Sequence, residues 1–252
     1  MNSIAVSSIV FASIFVSGLA GMVLRQAIPE DRLGSSEKEV ARLVTGLMTT
    51  MAAIVLGMLV SSAKASYDGR TNEVAEISSQ VITIDRMLSK YGTETAEMRG
   101  HFRLLVEAGV HRIWPTQRPV QVDLKPRDDE GEILVDELRV LTPKNNEEAE
   151  VKAQILGMIA DLRQTQWLLF LKSKRSAIPI PLLLVVVTWL ALIYFSFGLF
   201  TTPSSTIVVT LAFGALAVST AVLIILELYS PFRGVLRISS DPILEALSQM
   251  GR

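Results

Sequence analysis

Few side chains in this sequence could do chemistry, and none is spaced for it. The two histidines, His101 and His111, are ten residues apart. On one helix that is about 15 Å of rise, which does not suit two ligands of one metal ion. They read as one surface and one packed histidine. Asp128-Asp129-Glu130 is an acidic run that could meet a cation, but in a loop it reads as solvated. There is no cysteine, hence no disulfide, thiolate metal ligand or cysteine nucleophile. A Gly-rich phosphate loop, a nucleophile elbow and a His-Glu-x-x-His pair are all missing. The expectation is a non-enzyme with no metal and no cofactor. Glu227 stands apart, as a carboxylate closing a long apolar stretch. It could be solvated at an interface, pair with Arg233 or Arg237, or line the mouth of a pore.

The elements around these residues follow from where charge is absent. Half of the 252 residues are hydrophobic, and the net charge is -1. Mean hydropathy is +0.41. Residues 1–24, 43–63 and 176–226 carry no Asp, Glu, Lys or Arg. About 20 apolar residues cross a bilayer core. The first span is therefore Ile4 to Leu24, closed by Arg25. Ser17-Gly18-Leu19-Ala20 resembles a cleavage site, but a basic n-region is lacking and the stretch is long for a signal peptide, so a retained helix is expected. The second span is Leu43 to Ala63. The long neutral run is broken by Thr201-Thr202-Pro203-Ser204-Ser205-Thr206 into Ile180 to Phe200 and Ile207 to Leu228. Pro179 and Pro181 mark the start of the third span or a kink in it.

The expected fold is all-α: an integral membrane protein with four transmembrane helices and a helical cytoplasmic domain between the second and third. The divisions are 1–63, 64–175, 176–229 and a tail, 230–252. Orientation rests on basic residues near the spans. Lys64, Arg70, Lys172, Lys174, Arg175, Arg233 and Arg237 flank the side of the large segment. Arg25, Arg32, Lys38 and Arg42 flank the other. The positive-inside rule then puts the large segment and both termini in the cytoplasm of a cell inner (plasma) membrane. The near-neutral balance argues against nucleic acid as a partner.

Within the large segment, Val74, Ile77, Val81, Ile84 and Leu88 make one apolar stripe, so residues 66–91 read as an amphipathic helix ended by Gly92. Thr93 is placed to cap the next helix, with Met98, Phe102, Leu105, Val110 and Ile113 as its stripe and Trp114-Pro115 as its stop. Residues 115–131 read as a loop and Glu132 to Leu141 as a short helix. Asn145 or Asn146 caps a long one, with Glu147, Glu148 and Glu150 in its first turn and Ile155, Ile159 and Leu162 inward. The ordinary meaning of these stripes is core packing; a subunit interface is the alternative.

The second span has two notable faces. Gly46, Thr50, Ala53, Gly57 and Ser61 fall together, and Leu47, Thr50, Ile54, Met58 and Ser61 form an adjacent stripe. Helix packing explains either, as does a pore whose apolar ring gates by dewetting. After the fourth span comes Glu227-Leu228-Tyr229-Ser230-Pro231-Phe232-Arg233-Gly234-Val235-Leu236-Arg237-Ile238-Ser239. Pro231 would stop the membrane helix, Phe232 would anchor at the interface and Gly234 would permit a tight turn.

That stretch resembles the Pro-Phe-x-Gly-x-x-x-Ile-Ser signature of the bacterial bestrophin-like family, with Glu227, Pro231, Phe232, Gly234 and Ser239 as motif positions. The order of elements is similar too. True bestrophins share the layout and are pentameric anion channels with a pore lined by the second helix. The resemblance therefore implies a homo-oligomer in the lipid bilayer that passes inorganic anions, with Leu47, Thr50, Ile54, Met58 and Ser61 lining the pore. Animal bestrophins follow Pro-Phe-Gly with a calcium-binding acidic cluster; here the first acid after the motif is Asp241, so calcium gating is not implied. The competing reading is a non-conducting membrane scaffold or sensor that binds a partner through its cytoplasmic helices.

Overall fold

The computed structural model describes residues 3–27, 35–115, 124–126, 128–175, 180–232 and 234–250. Among them there are eight α-helices and no strand. In chain order these are α1 (Ser3–Ala27), α2 (Ser35–Tyr91), α3 (Ala96–Ile113), α4 (Asp128–Val140), α5 (Asn146–Arg175), α6 (Ile180–Phe200), α7 (Ser205–Leu228) and α8 (Asp241–Gln249). Four of them, α1, α2, α6 and α7, contain stretches long and apolar enough to cross a membrane. The chain divides into two compact units, residues 1–66 with 177–230 and residues 67–176 with 231–252.

The first unit is built on close approach of backbones. Gly18 and Gly21 of α1 face Gly198 of α6. A Cβ on Gly198 would overlap the Gly18 carbonyl oxygen and stand 2.9 Å from the Met22 nitrogen. One on Gly21 would overlap the Phe195 carbonyl oxygen and stand 2.9 Å from the Leu199 nitrogen. Lipid is as apolar as leucine, so membrane helices gain little from mere burial and associate where small residues admit tight packing. Hydroxyls add bonds across the seams. Ser7 donates to the Ser219 carbonyl at 2.6 Å, and Ser17 to the Ala191 carbonyl at 2.7 Å. Ile14, Leu183, Ala215 and Val222 fill the space between α1, α6 and α7. The fourth span starts at Ser204, whose hydroxyl accepts from the Ile207 N–H at 3.3 Å as an N-cap.

The second span and the amphipathic helix expected after it are one element. Nothing between Ser35 and Tyr91 interrupts the helical hydrogen bonds: no proline occurs there, and the polar stretch Lys64 to Arg70 changes the side chains, not the backbone. The helix stops at Gly92, whose φ of 137° suits only glycine. Thr93 is not the cap of the next helix. It begins a single 3-10 turn, Thr93–Thr95, and the buried Thr95 hydroxyl lies within bonding distance of the Leu88 and Gly92 carbonyls, closing the end of α2.

The second unit packs Ile84, Leu88, Phe102, Leu138, Ile155 and Ala246 into one core. α5 opens as expected, with the Asn145 side chain accepting from the Glu148 N–H at 2.7 Å and the Glu148 carboxylate accepting from the Lys144 N–H at 2.7 Å. Two expectations change. Asp128, Asp129 and Glu130 begin α4 rather than end a loop, and acids suit a helix N-terminus; their side chains lie outside the described residues. The tail contains α8, which places Ile243, Ala246, Leu247 and Met250 in the core.

Candidate functional site

α2 presents two unlike sides along its membrane-length part. Thr45, Ala52, Leu59 and Ala63 are buried, a narrow seam at steps of seven, seven and four. That seam is tied down by hydroxyls: Thr45 to Ser196 at 2.9 Å, and Ser62 to Tyr229 at 3.2 Å. The other side is bare. Leu47, Ile54 and Met58 are 64%, 58% and 67% exposed, and Thr50 and Ser61 are exposed with them. The five expected pore residues thus share one uncovered face of a single chain. Gly46 and Gly57 beside them have open space where a Cβ would go. The Thr50 hydroxyl donates to the Gly46 carbonyl at 3.1 Å, and Thr49 donates to the Thr45 carbonyl at 2.7 Å. These back-bonds satisfy the hydroxyl hydrogens within α2, so Thr50 is tolerated against water or lipid.

The motif after α7 makes a closed turn. α7 ends at Leu228, with the Ser230 N–H donating to the Glu227 carbonyl at 2.9 Å. Pro231 has no N–H to extend the helix. The Ile238 N–H returns to the Pro231 carbonyl at 2.9 Å. Gly234 sits inside this loop at φ 95°, where a side chain would be strained. Arg237 Nε donates to the Gly234 carbonyl at 3.0 Å. Ser239 is exposed, and its hydroxyl accepts from the Asp241 N–H at 3.1 Å at the start of α8.

Phe232, expected as an interface anchor, is interior instead. It is buried among Val74, Leu169 and Ile238. Its ring meets Trp114 edge-on at 6.0 Å, and Trp114 Nε1 donates to the Ile238 carbonyl at 2.9 Å. One indole thus holds both the ring and the end of the turn. Glu227 is 5% exposed, so the solvated reading fails; burial of the side chain at the end of α7 replaces it. Arg233 lies outside the described residues.

The histidines also differ from expectation, since both are exposed and neither is packed. His101 Nδ1 lies 2.8 Å from Glu137 Oε1. No cluster of His, Cys, Asp or Glu suited to a metal ion occurs among the described residues.

Sequence reasoning missed three polar features of the second unit. Arg70, counted as a flanking charge, is 4% exposed; burial pushes its guanidinium below its usual range, against the pull of Glu73. Glu73 in turn is bonded by Lys172. Asp85 is buried on the apolar stripe of α2 and receives two bonds from Arg99, each 2.9 Å, which hold that guanidinium above its usual range. The signal was present, as a lone acid within an apolar stripe, but its partner comes from another helix.

A search of curated proteins and a search of solved structures each returned no match. The bestrophin-like domain profile matches residues 10–243, from within α1, through the Pro-Phe turn, into α8. The four apolar helices, the closed Pro-Phe turn and that match across nearly the whole chain agree, and the protein belongs to the bestrophin-like domain family.

Proposed function

We propose that this protein is a homo-oligomeric ion channel that passes inorganic anions, with α2 of each subunit facing the central axis. The observation that carries the reading is the uncovered stripe of Leu47, Thr50, Ile54, Met58 and Ser61 on a helix whose opposite side is already seated. In a ring of subunits, one helix per copy must turn a face to the axis. α1 and α6 use their small residues on each other, whereas α2 keeps Gly46 and Gly57 open. Repeated around an axis, Ile54 and Met58 make an apolar constriction that opposes ion passage by dewetting. Family membership supports conduction as a class, and the resemblance to true bestrophins supports anions. The basic residues near the spans support an inner-membrane protein whose large helical segment and termini are cytoplasmic.

Purified protein in planar bilayers tests this. Anion-selective currents that rise in Ile54→Ala and Met58→Ala are the expected result. Assembled protein that carries no current in any variant would refute conduction and leave the non-conducting scaffold. An assembly with α2 facing lipid would refute the pore assignment.

A further inference from the structure

The chain passes between the two units at three places. It enters the second unit at Tyr67, leaves it after α5 and returns at Pro231. Each crossing adjoins a helix of membrane length in the chain. All three meet in one small core of the second unit, where Tyr67 packs with Val74, Leu169, Phe232 and Ile238. The Tyr67 hydroxyl also donates to the Arg237 carbonyl at 3.5 Å. Covalent connection alone therefore makes this end of the second unit the one next to the bilayer. Two pairs of aliphatic side chains stand out from it. Val235 and Leu236 lie inside the turn closed between Pro231 and Ile238; both are exposed, Val235 by 79%. Leu168 and Leu171, beside the buried Leu169, are exposed on the last turns of α5, and a spacing of three puts them on one face. Trp167 adjoins them, half-buried, with its ring edge-on to Phe170 at 5.7 Å. Single exposed aliphatics are ordinary, whereas grouped ones mark a surface that meets something.

We propose that these two pairs sink into the headgroup region of the lipid bilayer, so that the second unit docks on the membrane surface through its own side chains. Connectivity selects lipid as the occupant. Val235 follows the last residue of α7 by seven positions, which reach at most about 25 Å, and the closed turn shortens that reach. Leu171 precedes the first residue of α6 by nine positions, and α5 is still helical over the first four of them. Tyrosine and tryptophan, here Tyr67 and Trp167, are the residue types that collect at membrane–water interfaces. Aliphatic side chains beside them gain by leaving water for the boundary between headgroups and acyl chains. The inference is independent of conduction, because docking can be measured in a protein that passes no ions.

The chain has no cysteine, so Val235→Cys and Leu168→Cys each carry a single environment-sensitive fluorophore in the full chain, held in phosphatidylcholine nanodiscs. Val140→Cys is the control. Val140 is 83% exposed on α4, and the carbonyl of its neighbour Arg139 accepts from Lys152 at 3.0 Å. Lys152 is 16 residues, or about 24 Å of helix, from Leu168 along α5. A nitroxide near the top of the lipid acyl chain should quench the fluorophores at positions 235 and 168 and spare the control. Aqueous iodide should quench those two roughly threefold or more less than the control, because side chains sunk about 5–10 Å into the interface are shielded. In the unaltered protein, phosphatidylcholine with a photoreactive group at the same depth should label residues 231–239 and the end of α5 as well as the spans. Iodide quenching equal to that of the control would place the pairs in water and overturn the docking. Shielding from iodide without quenching by the lipid nitroxide would overturn it in favour of cover by a second copy of the chain. Label confined to the spans would overturn it without recourse to any variant.

Discussion

Replacing Gly198 by alanine tests whether α1 and α6 are held by backbone contact. The added Cβ would overlap the Gly18 carbonyl oxygen and lie 2.9 Å from the Met22 nitrogen, and both obstacles are backbone that no rotamer change can clear. The helices must part by on the order of 1 Å, which a close-packed interior resists. Overpacking of this kind costs about 1–3 kcal/mol. Parting also strains the bond from Ser17 to the Ala191 carbonyl, one turn away from Gly21 and worth roughly 1 kcal/mol. The sum is about 2–4 kcal/mol. Gly57→Ala is the control. Gly57 also lies in a membrane-length helix, but its Cβ meets nothing within 4 Å. That change should leave the single chain intact, or stabilise it by about 0.5–1 kcal/mol through lower backbone entropy in the unfolded state. Reversible unfolding in mixed micelles, followed by circular dichroism, reads both. Equal stability of Gly198→Ala and the parent would refute the contact seam. An equal loss in Gly57→Ala would show that the effect belongs to glycine in membrane helices and not to this packing.

Three other outcomes follow from the geometry. Gly234→Val should cost about 1–3 kcal/mol, because a β-branched residue is strained at φ 95°, and should lower the yield of folded protein; unchanged yield and melting would show that the turn is not required. Trp114→Phe should keep most of the packing on Phe232 but lose the bond to the Ile238 carbonyl, about 1 kcal/mol, whereas Trp114→Ala should cost about 3–5 kcal/mol; equal effects in denaturant melts would count against that division. Because the chain has no cysteine, topology can be read by single introductions: Ala108→Cys should resist a membrane-impermeant thiol reagent in intact cells and Thr202→Cys should react, and the reverse would invert the orientation.

The residues themselves determined the membrane class, since freedom from charge over 20 or more positions is a property of consecutive residues and needs no partner. The limits of the third and fourth spans were equally local: Pro203 and the Ser204 cap act within a turn of where they sit. The same holds for Gly92 and Gly234, whose backbone angles only glycine adopts cheaply. α8 was not among the expected helices, although Ile243, Ala246, Leu247 and Met250 recur at helical spacing. Other features were decided by tertiary structure alone. A polar stretch at Lys64 to Arg70 looks like a boundary, yet α2 runs through it because the backbone bonds are indifferent to side-chain polarity. Phe232 could have faced a membrane, and the indole of Trp114, 118 positions earlier in the chain, makes it interior. Which glycines are contacts and which are open cannot be read from Gly21, Gly57 and Gly198 as letters, because the distinction lies in the backbone of another helix. Side-chain pattern and turn chemistry act over a few residues, whereas contact depends on residues far apart in sequence, and only the folded chain brings those together.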